Sequence, residues 1–211
     1  MIALFVHGMG RSPLSGWPML RQLGRVGIQV QTFGYSAAVE DFASVVRRLS
    51  VRLNDIADRG DYIVIGHSLG GVLLRAALAP SACKAKQPTR AFLLGSPIAA
   101  SRWASRLSGN LVFRLATGDC GQLLASPARM SAIGAIDAPT TAIIGTKGIT
   151  WKQSPFRGEP NDGIVSVSEV SAPWFESQLE VPVFHSWLPA SQCVATEIIR
   201  RVGRSAEPSP S

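Results

Sequence analysis

The stretch VIGHSLGG, residues 64–71, sets a serine between glycines at the point where an apolar run gives way to a helix-like pattern. A strand that turns straight into a helix forces the residue at the turn into a strained backbone conformation. Small residues two positions to either side let that turn close without collision. Gly66 and Gly70 supply them, with a strand reading (YIVIG, 62–66) before Ser68 and a helix reading (GGVLLRAALA, 70–79) after it. Two readings follow: a nucleophile held on a sharp turn, or a serine that caps a helix.

Working outward, IALFV (2–6) reads as a fully buried strand and IQVQTFGY (28–35) as a second, with a loop and a short helix between them. Residues 39–59 place Phe42, Val45, Val46, Leu49, Leu53 and Ile56 at helical spacing. Glu40 and Asp41 stand near the start of that segment and Arg59-Gly60 at its end, which predicts an amphipathic helix. Downstream, RAFLLG (90–95), TTAIIG (140–145) and LEVPVF (179–184) read as strands, followed by a helix over about 193–201. Strands alternating with helices imply a mostly parallel sheet of about six strands with helices on both faces, an α/β fold. Residues 97–136 contain no clear strand and form an insertion between two strands, and 146–165 are rich in Gly, Pro and polar residues. Long loops inside compact domains are usually functional. The tail GRSAEPSPS (203–211) has a disordered composition and is set apart from a single domain over 1–202.

With 211 residues and a 46% apolar fraction, the chain can bury one sizeable core. Its net charge is +7, and arginine supplies 17 of the 21 basic residues. Such a balance points to nucleic acid, an anionic membrane surface, anionic substrates or simply a dispersed basic surface. There is no long basic block, zinc-ligand spacing, aromatic-basic RNA signature or basic heptad helix, so nucleic acid is disfavoured. Cys83, Cys120 and Cys193 are odd in number and widely spaced, which suits reduced thiols in a cytosolic protein. The N-terminal apolar run before His7 is too short for a signal segment or a membrane span, so the chain reads as soluble and cytoplasmic.

A serine hydroxyl is a weak nucleophile and needs a base, and the chain has three histidines, His7, His67 and His185. His67 adjoins Ser68 and must point elsewhere, and His7 ends the first strand just before a glycine. His185 follows the last strand, where a loop would hang over the same sheet edge, and is the candidate base. The base needs a carboxylate to fix its tautomer. Asp162, in NDGIV (161–165), falls in the loop after the strand 140–145, on the carboxyl side of the sheet where sites collect. Glu159 is its rival in the same loop, and Asp137 precedes that strand and so lies at the wrong end. The glycine-rich turn VHGMG (6–10) brings a backbone N–H near an oxygen that turns negative in acyl transfer, which makes Met9 and Leu69 the candidate amide donors. Leu69 also opens a helix, whose N-terminal dipole favours an anion. A dinucleotide reading of this turn fails because Pro13 takes the third glycine position and no suitable acid follows, and a P-loop fails for want of its Gly-Lys-Ser/Thr ending.

Together these residues resemble the α/β-hydrolase superfamily, and within it the small lipases and the lipase-like hydrolases related to GPI-inositol deacylases, with HG after the first core strand, GHSLGG at the turn and NDG-V at the acid. The resemblance spans about residues 2–201 and implies a minimal six-stranded version, because the chain opens directly on the strand before HG. It implies Ser68 as nucleophile, Asp162 as acid, His185 as base, and Met9 and Leu69 as oxyanion donors, with no metal or cofactor. GSP (95–97) is similar to the family's turn into its lid, so 97–136 would be a short cap insertion. The implied activity is hydrolysis of carboxylic esters, lipidic ones first, through an acyl-enzyme. Alternatives are thioester cleavage or acyl transfer by the same residues, or a non-catalytic binding protein on the same fold. In the insertion, Trp103, Leu107, Leu111, Phe113 and Leu115 alternate with Arg102, Arg106 and Arg114, which suits either a cap packed on the core with solvated arginines or peripheral contact with an anionic membrane.

Overall fold

The computed structural model describes residues 1–79, 86–151 and 154–204. Its strands β1 (Ile2–Val6), β2 (Gln29–Phe33), β3 (Tyr62–His67), β4 (Arg90–Leu94), β5 (Thr140–Gly145) and β6 (Ser177–Val181) form one sheet in the order β2-β1-β3-β4-β5-β6. Every neighbouring pair is parallel. Every residue of β1, β3 and β5 is buried, because a parallel strand covered on both faces needs apolar side chains on both. Successive side chains point to opposite faces. Ile2, Leu4, Val6, Tyr62 and Val64 pack on one face with residues of α2 (Phe42–Ala57) and α3 (Leu69–Ala77). Ala3, Phe5, Ile63 and Ile65 pack on the other with α1 (Trp17–Arg25) and α8 (Gln192–Arg204).

The two edge strands differ from expectation. β2 is shorter than 28–35, and β6 covers Ser177–Val181 where 179–184 was expected. Pro182 has no N–H to give to the ladder, so pairing ends before it, and a half-exposed edge strand accepts the polar Ser177 and Gln178 that an apolar search passes over. The α2 helix begins at Phe42 because the Asp41 carboxylate accepts a hydrogen bond from the Ser44 amide at 2.7 Å. Gly203 and Arg204, assigned from composition to the disordered tail, are the last residues of α8. Val194, Ala195, Ile198 and Val202 keep one face of that helix on the sheet as far as its final turn. Residues 205–211 and Cys83 lie outside the described residues.

Between β4 and β5 the chain forms α4 (Arg102–Leu107), α5 (Leu111–Ala125) and α6 (Pro127–Ser131), and a short α7 (Val167–Val170) precedes β6. The α5 helix breaks at Gly118, whose φ of 53° a side chain rarely adopts. Arg75 of α3 is buried and donates to the carbonyls of Pro97, Ile133 and Gly134, so one guanidinium ties the two ends of this segment together. Burial lowers its pKa to about 10, which leaves it charged at neutral pH. Among the described residues no helix is long and apolar enough to cross a membrane.

The packing of α2 makes a direct prediction. Leu49 is fully buried while Val51, on the opposite side of the same helix, is 61% exposed. Leu49→Ala should lower unfolding free energy by about 2–5 kcal/mol, and Val51→Ala should change it by less than about 0.5 kcal/mol, read from urea denaturation midpoints.

Candidate active site

Ser68 sits between β3 and α3 with φ 51° and ψ −123°, one of two described non-glycine residues at positive φ. Such a conformation costs on the order of 1–3 kcal/mol and persists only where the surroundings hold it. They do so here through backbone hydrogen bonds: the Ser68 amide donates to the Leu94 carbonyl at 2.9 Å, and the Ser68 carbonyl accepts from the Ser96 hydroxyl at 2.8 Å. The glycines have a steric cause. A Cβ on Gly66 would lie 2.5 Å from the Gly71 Cα, one on Gly70 would overlap the Val6 carbonyl, and one on Gly71 would overlap the Ser96 hydroxyl. Although Ser68 occupies the N-cap position of α3, its side chain makes no capping hydrogen bond, which removes the helix-cap reading.

His185 follows β6 as the first residue of a 3-10 turn, His185–Ala190. Its Nδ1 lies 2.6 Å from Asp162 Oδ2, and its amide donates to the Asp162 carbonyl at 2.9 Å. The other carboxylate oxygen, Asp162 Oδ1, accepts from the amides of Ile164 at 2.9 Å and Val165 at 2.8 Å. Both side chains are buried. A carboxylate on Nδ1 holds the proton there and leaves Nε2 as the basic nitrogen. Asn161 shapes the loop that presents the acid: its Oδ1 accepts from Ile149 and Gly163, and its Nδ2 donates to the carbonyls of Ile149 and Glu159. Sequence reasoning missed Asn161, and it missed Gly95, where a Cβ would lie 3.0 Å from both Asp162 Oδ2 and His185 Nδ1. A legible signal existed, since a glycine stands at or directly after the end of β4 and β5.

The remaining candidates are engaged differently. Glu159, the rival acid, is bonded to Arg102 at 2.8 Å and to the Ser168 amide at 2.7 Å. Asp137 is exposed ahead of β5. His7 is stacked on Tyr35 with ring centroids 4.4 Å apart, and its Nδ1 is bonded to the Gly8 carbonyl. His67 Nε2 is bonded to the carbonyl of His185 at 3.1 Å. The amides of Met9 and Leu69 find no acceptor among the described residues, and Leu69 is the first residue of α3. No group of three or more metal-ligating side chains is gathered among the described residues.

Ser68 borders an apolar cavity of about 340 Å3, lined by Met9, Ile164 and Val165 and, from the 97–136 segment, by Trp103, Leu107 and Phe113. A larger open cleft of about 770 Å3 lies against Arg102, Arg106 and Arg157, and Ser68 and His185 do not border it. The family model described as alpha/beta hydrolase family matches residues 3–196, which is most of the chain. This chain belongs to the alpha/beta hydrolase family. Comparison with curated proteins finds no match. Among solved structures, this hydrolase-family chain resembles the mature Bacillus licheniformis lipase BlEst2, at 16% identity and a TM-score of 0.75 over 95% of this chain and 90% of that one. It also resembles the RedJ thioesterase of the Streptomyces coelicolor prodiginine pathway, at 17% identity and 0.66 over 97% and 89%. Human thioesterase 2 matches at 11% identity and 0.61 over 99% of each chain. At these identities the likeness is one of fold.

Two of the three histidines carry a stability prediction. Burial lowers the pKa of His7, and burial together with neighbouring His185 lowers that of His67 further. A histidine whose folded pKa lies below its unfolded value of about 6.5 binds fewer protons folded than unfolded as pH falls through that value, so stability falls as pH drops. As pH falls through about 6.5 the slope contributed by His67 should rise toward a limit of about 1.4 kcal/mol per pH unit, approached roughly one unit lower, with His7 adding in the same direction, read from urea midpoints, and it should be several-fold smaller between about pH 7 and 8.

Proposed function

We propose that this member of the alpha/beta hydrolase family is a serine hydrolase of carboxylic esters, lipidic in preference. The observation that carries the reading is the placement of Ser68, strained and uncapped, at the wall of an apolar cavity, with a buried Asp162–His185 pair on the same edge of the sheet. In this mechanism His185 Nε2 takes the proton from the Ser68 hydroxyl as its oxygen attacks the ester carbonyl. The oxygen that becomes negative accepts from the Met9 and Leu69 amides, and the N-terminus of α3 adds a favourable dipole. His185 returns the proton to the departing alcohol, leaving the acyl group on Ser68. A water deprotonated by the same nitrogen then releases the acid, while Asp162 holds the imidazole and stabilises its cation. The cavity suits the acyl chain. Its lining of Met9, Trp103, Leu107, Phe113, Ile164 and Val165 offers an apolar wall for such a chain.

In this reading residues 97–136 act as a cap, supported by Trp103, Leu107 and Phe113 lining the cavity. The cap also presents Leu111, Val112 and Leu115 at 67, 74 and 70% exposure beside the exposed Arg114 and Arg106, a combination that suits an anionic lipid surface. Arg102 is engaged with Glu159, which leaves Arg106 and Arg114 as the cations of that surface.

Ser68→Ala should lower kcat on a short soluble ester by on the order of 10⁶-fold and abolish covalent labelling by a fluorophosphonate probe, with an unchanged urea midpoint. Asp162→Asn should cost roughly 10⁴-fold and Glu159→Gln little, and the reverse ranking would move the acid to Glu159. Retained labelling in Ser68→Ala would refute the mechanism, and an unlabelled but folded natural chain would favour a binding protein. An ester and a thioester of the same acyl chain, compared by kcat/KM, separate esterase from thioesterase. Arg106→Glu with Arg114→Glu should weaken binding to anionic vesicles while sparing the soluble ester, and the natural chain's binding should fade as salt rises above about 0.1 M. Vesicle binding that ignores salt would refute the interfacial cap.

A further inference from the structure

The mechanism leaves one fully buried imidazole unused. His67 is the last residue of β3, directly before Ser68. Its Nε2 lies 3.1 Å from the His185 carbonyl oxygen, and because a carbonyl only accepts, that nitrogen carries the proton and donates. The two imidazole rings are 4.8 Å apart, tilted by 42°. The second nitrogen of His67, Nδ1, is buried with no hydrogen-bonding group among the described residues. Buried polar atoms are normally paired, so an imidazole at this position, in place of an apolar ring of similar size, calls for a cause. That cause lies at Nε2. The side-chain and amide hydrogen bonds of His185 both run to Asp162, in the loop after β5. The bond from His67 ties the backbone of His185 to the strand that carries Ser68.

We propose that His67 is a positioning residue: its backbone leads into the Ser68 turn while its ring holds the His185 carbonyl, so one residue sets the spacing between nucleophile and base. The proposal rests on the reading of Ser68 and His185 as that pair. The ring stays neutral, with a fixed donor, because burial and the neighbouring His185, Arg11 and His7 disfavour a further positive charge, while the Asp162 carboxylate is committed to His185. Gly8 leaves the space the ring needs, since a Cβ there would lie 2.9 Å from His67 Nδ1 and 3.1 Å from the Ser68 Cβ. His67 does not line the apolar cavity, so its replacement should act on turnover and not on substrate binding.

The test compares the natural chain with His67→Phe and His67→Gln. The glutamine amide can reach the same carbonyl as Nε2, whereas phenylalanine fills the space without a donor. His67→Phe should lower kcat on a short soluble ester by roughly 10- to 100-fold with KM within about threefold, while His67→Gln should recover kcat to within about threefold of the natural chain. The downfield NMR resonance of the proton between His185 Nδ1 and Asp162 Oδ2 should shift or broaden in the phenylalanine variant and return in the glutamine variant. A folded His67→Phe with natural kcat and an unchanged resonance overturns the proposal, and so does a folded His67→Gln with kcat as low as that of the phenylalanine variant. Should His67→Phe fail to fold, His67→Gln decides: near-natural turnover and resonance support the role, and a large loss of turnover overturns it. A natural chain that is not labelled on Ser68 overturns the reading of the site, whereas labelling together with an equally active His67→Phe overturns the role of His67 alone.

Discussion

The turn at Ser68 has no room for a methyl group at Gly66, Gly70 or Gly71, and the centre of the fold is arranged around that crowding. β3 can pass straight into α3 only if the helix lies almost in contact with the carbonyls at the end of β1, which is where a Cβ on Gly70 would collide. The close approach brings the first turn of α3 next to the glycine-rich turn after β1, and two amides that have no acceptor among the described residues, those of Met9 and Leu69, come to the same end of the sheet. The positive φ of Ser68 is sustained by rigid neighbours: β4 accepts its amide hydrogen, and Ser96 donates to its carbonyl.

Around that turn the charges are managed by hydrogen bonds that fix tautomers. Three imidazoles gather at one end of the sheet, each with a different neighbour: a backbone carbonyl and a tyrosine ring for His7, the backbone of another histidine for His67, and a carboxylate for His185. Among the described residues only the last of these ring contacts is with an anion, the Asp162 carboxylate. The aspartate is kept in place by two backbone amides and by the Asn161 amide that braces its loop. Arg75 plays a comparable part under the 97–136 segment, where one buried cation is satisfied by carbonyls from both ends of that segment.

The α4 helix joins these two regions. Trp103, Ala104 and Leu107 face the apolar cavity at Ser68, while Arg102 turns to Glu159 of the loop that also holds Asp162 and to Ser168 of α7. The ring of Trp103 meets that of Phe156 edge-on at 6.4 Å, so the wall of the cavity is continuous with the acid-bearing loop. Displacement of α4 would therefore break an ion pair and an aromatic contact together.

Much of this was legible in the residues themselves. Fully buried parallel strands need continuous apolar runs, so β1, β3, β4 and β5 could be read almost to the residue, and the crowded turn demands glycines at fixed offsets, so Ser68 could be singled out. The placement of His185, and of the loop that carries both Asp162 and its rival Glu159, followed from strand order, since the carboxyl ends of parallel strands lie on one edge. Edge strands and helix ends were misplaced because half-exposed residues carry a weak pattern and because packing of Val202 extends α8 past its composition. What composition and spacing could not supply were the relations between distant segments: Glu159 paired with Arg102, Asn161 bracing the acid loop, Arg75 gripping the insertion, and His67 donating to His185. Local periodicity and sterics act over a few residues and are written along the chain. A hydrogen bond between residues 118 positions apart exists only once the sheet has brought two strand ends together.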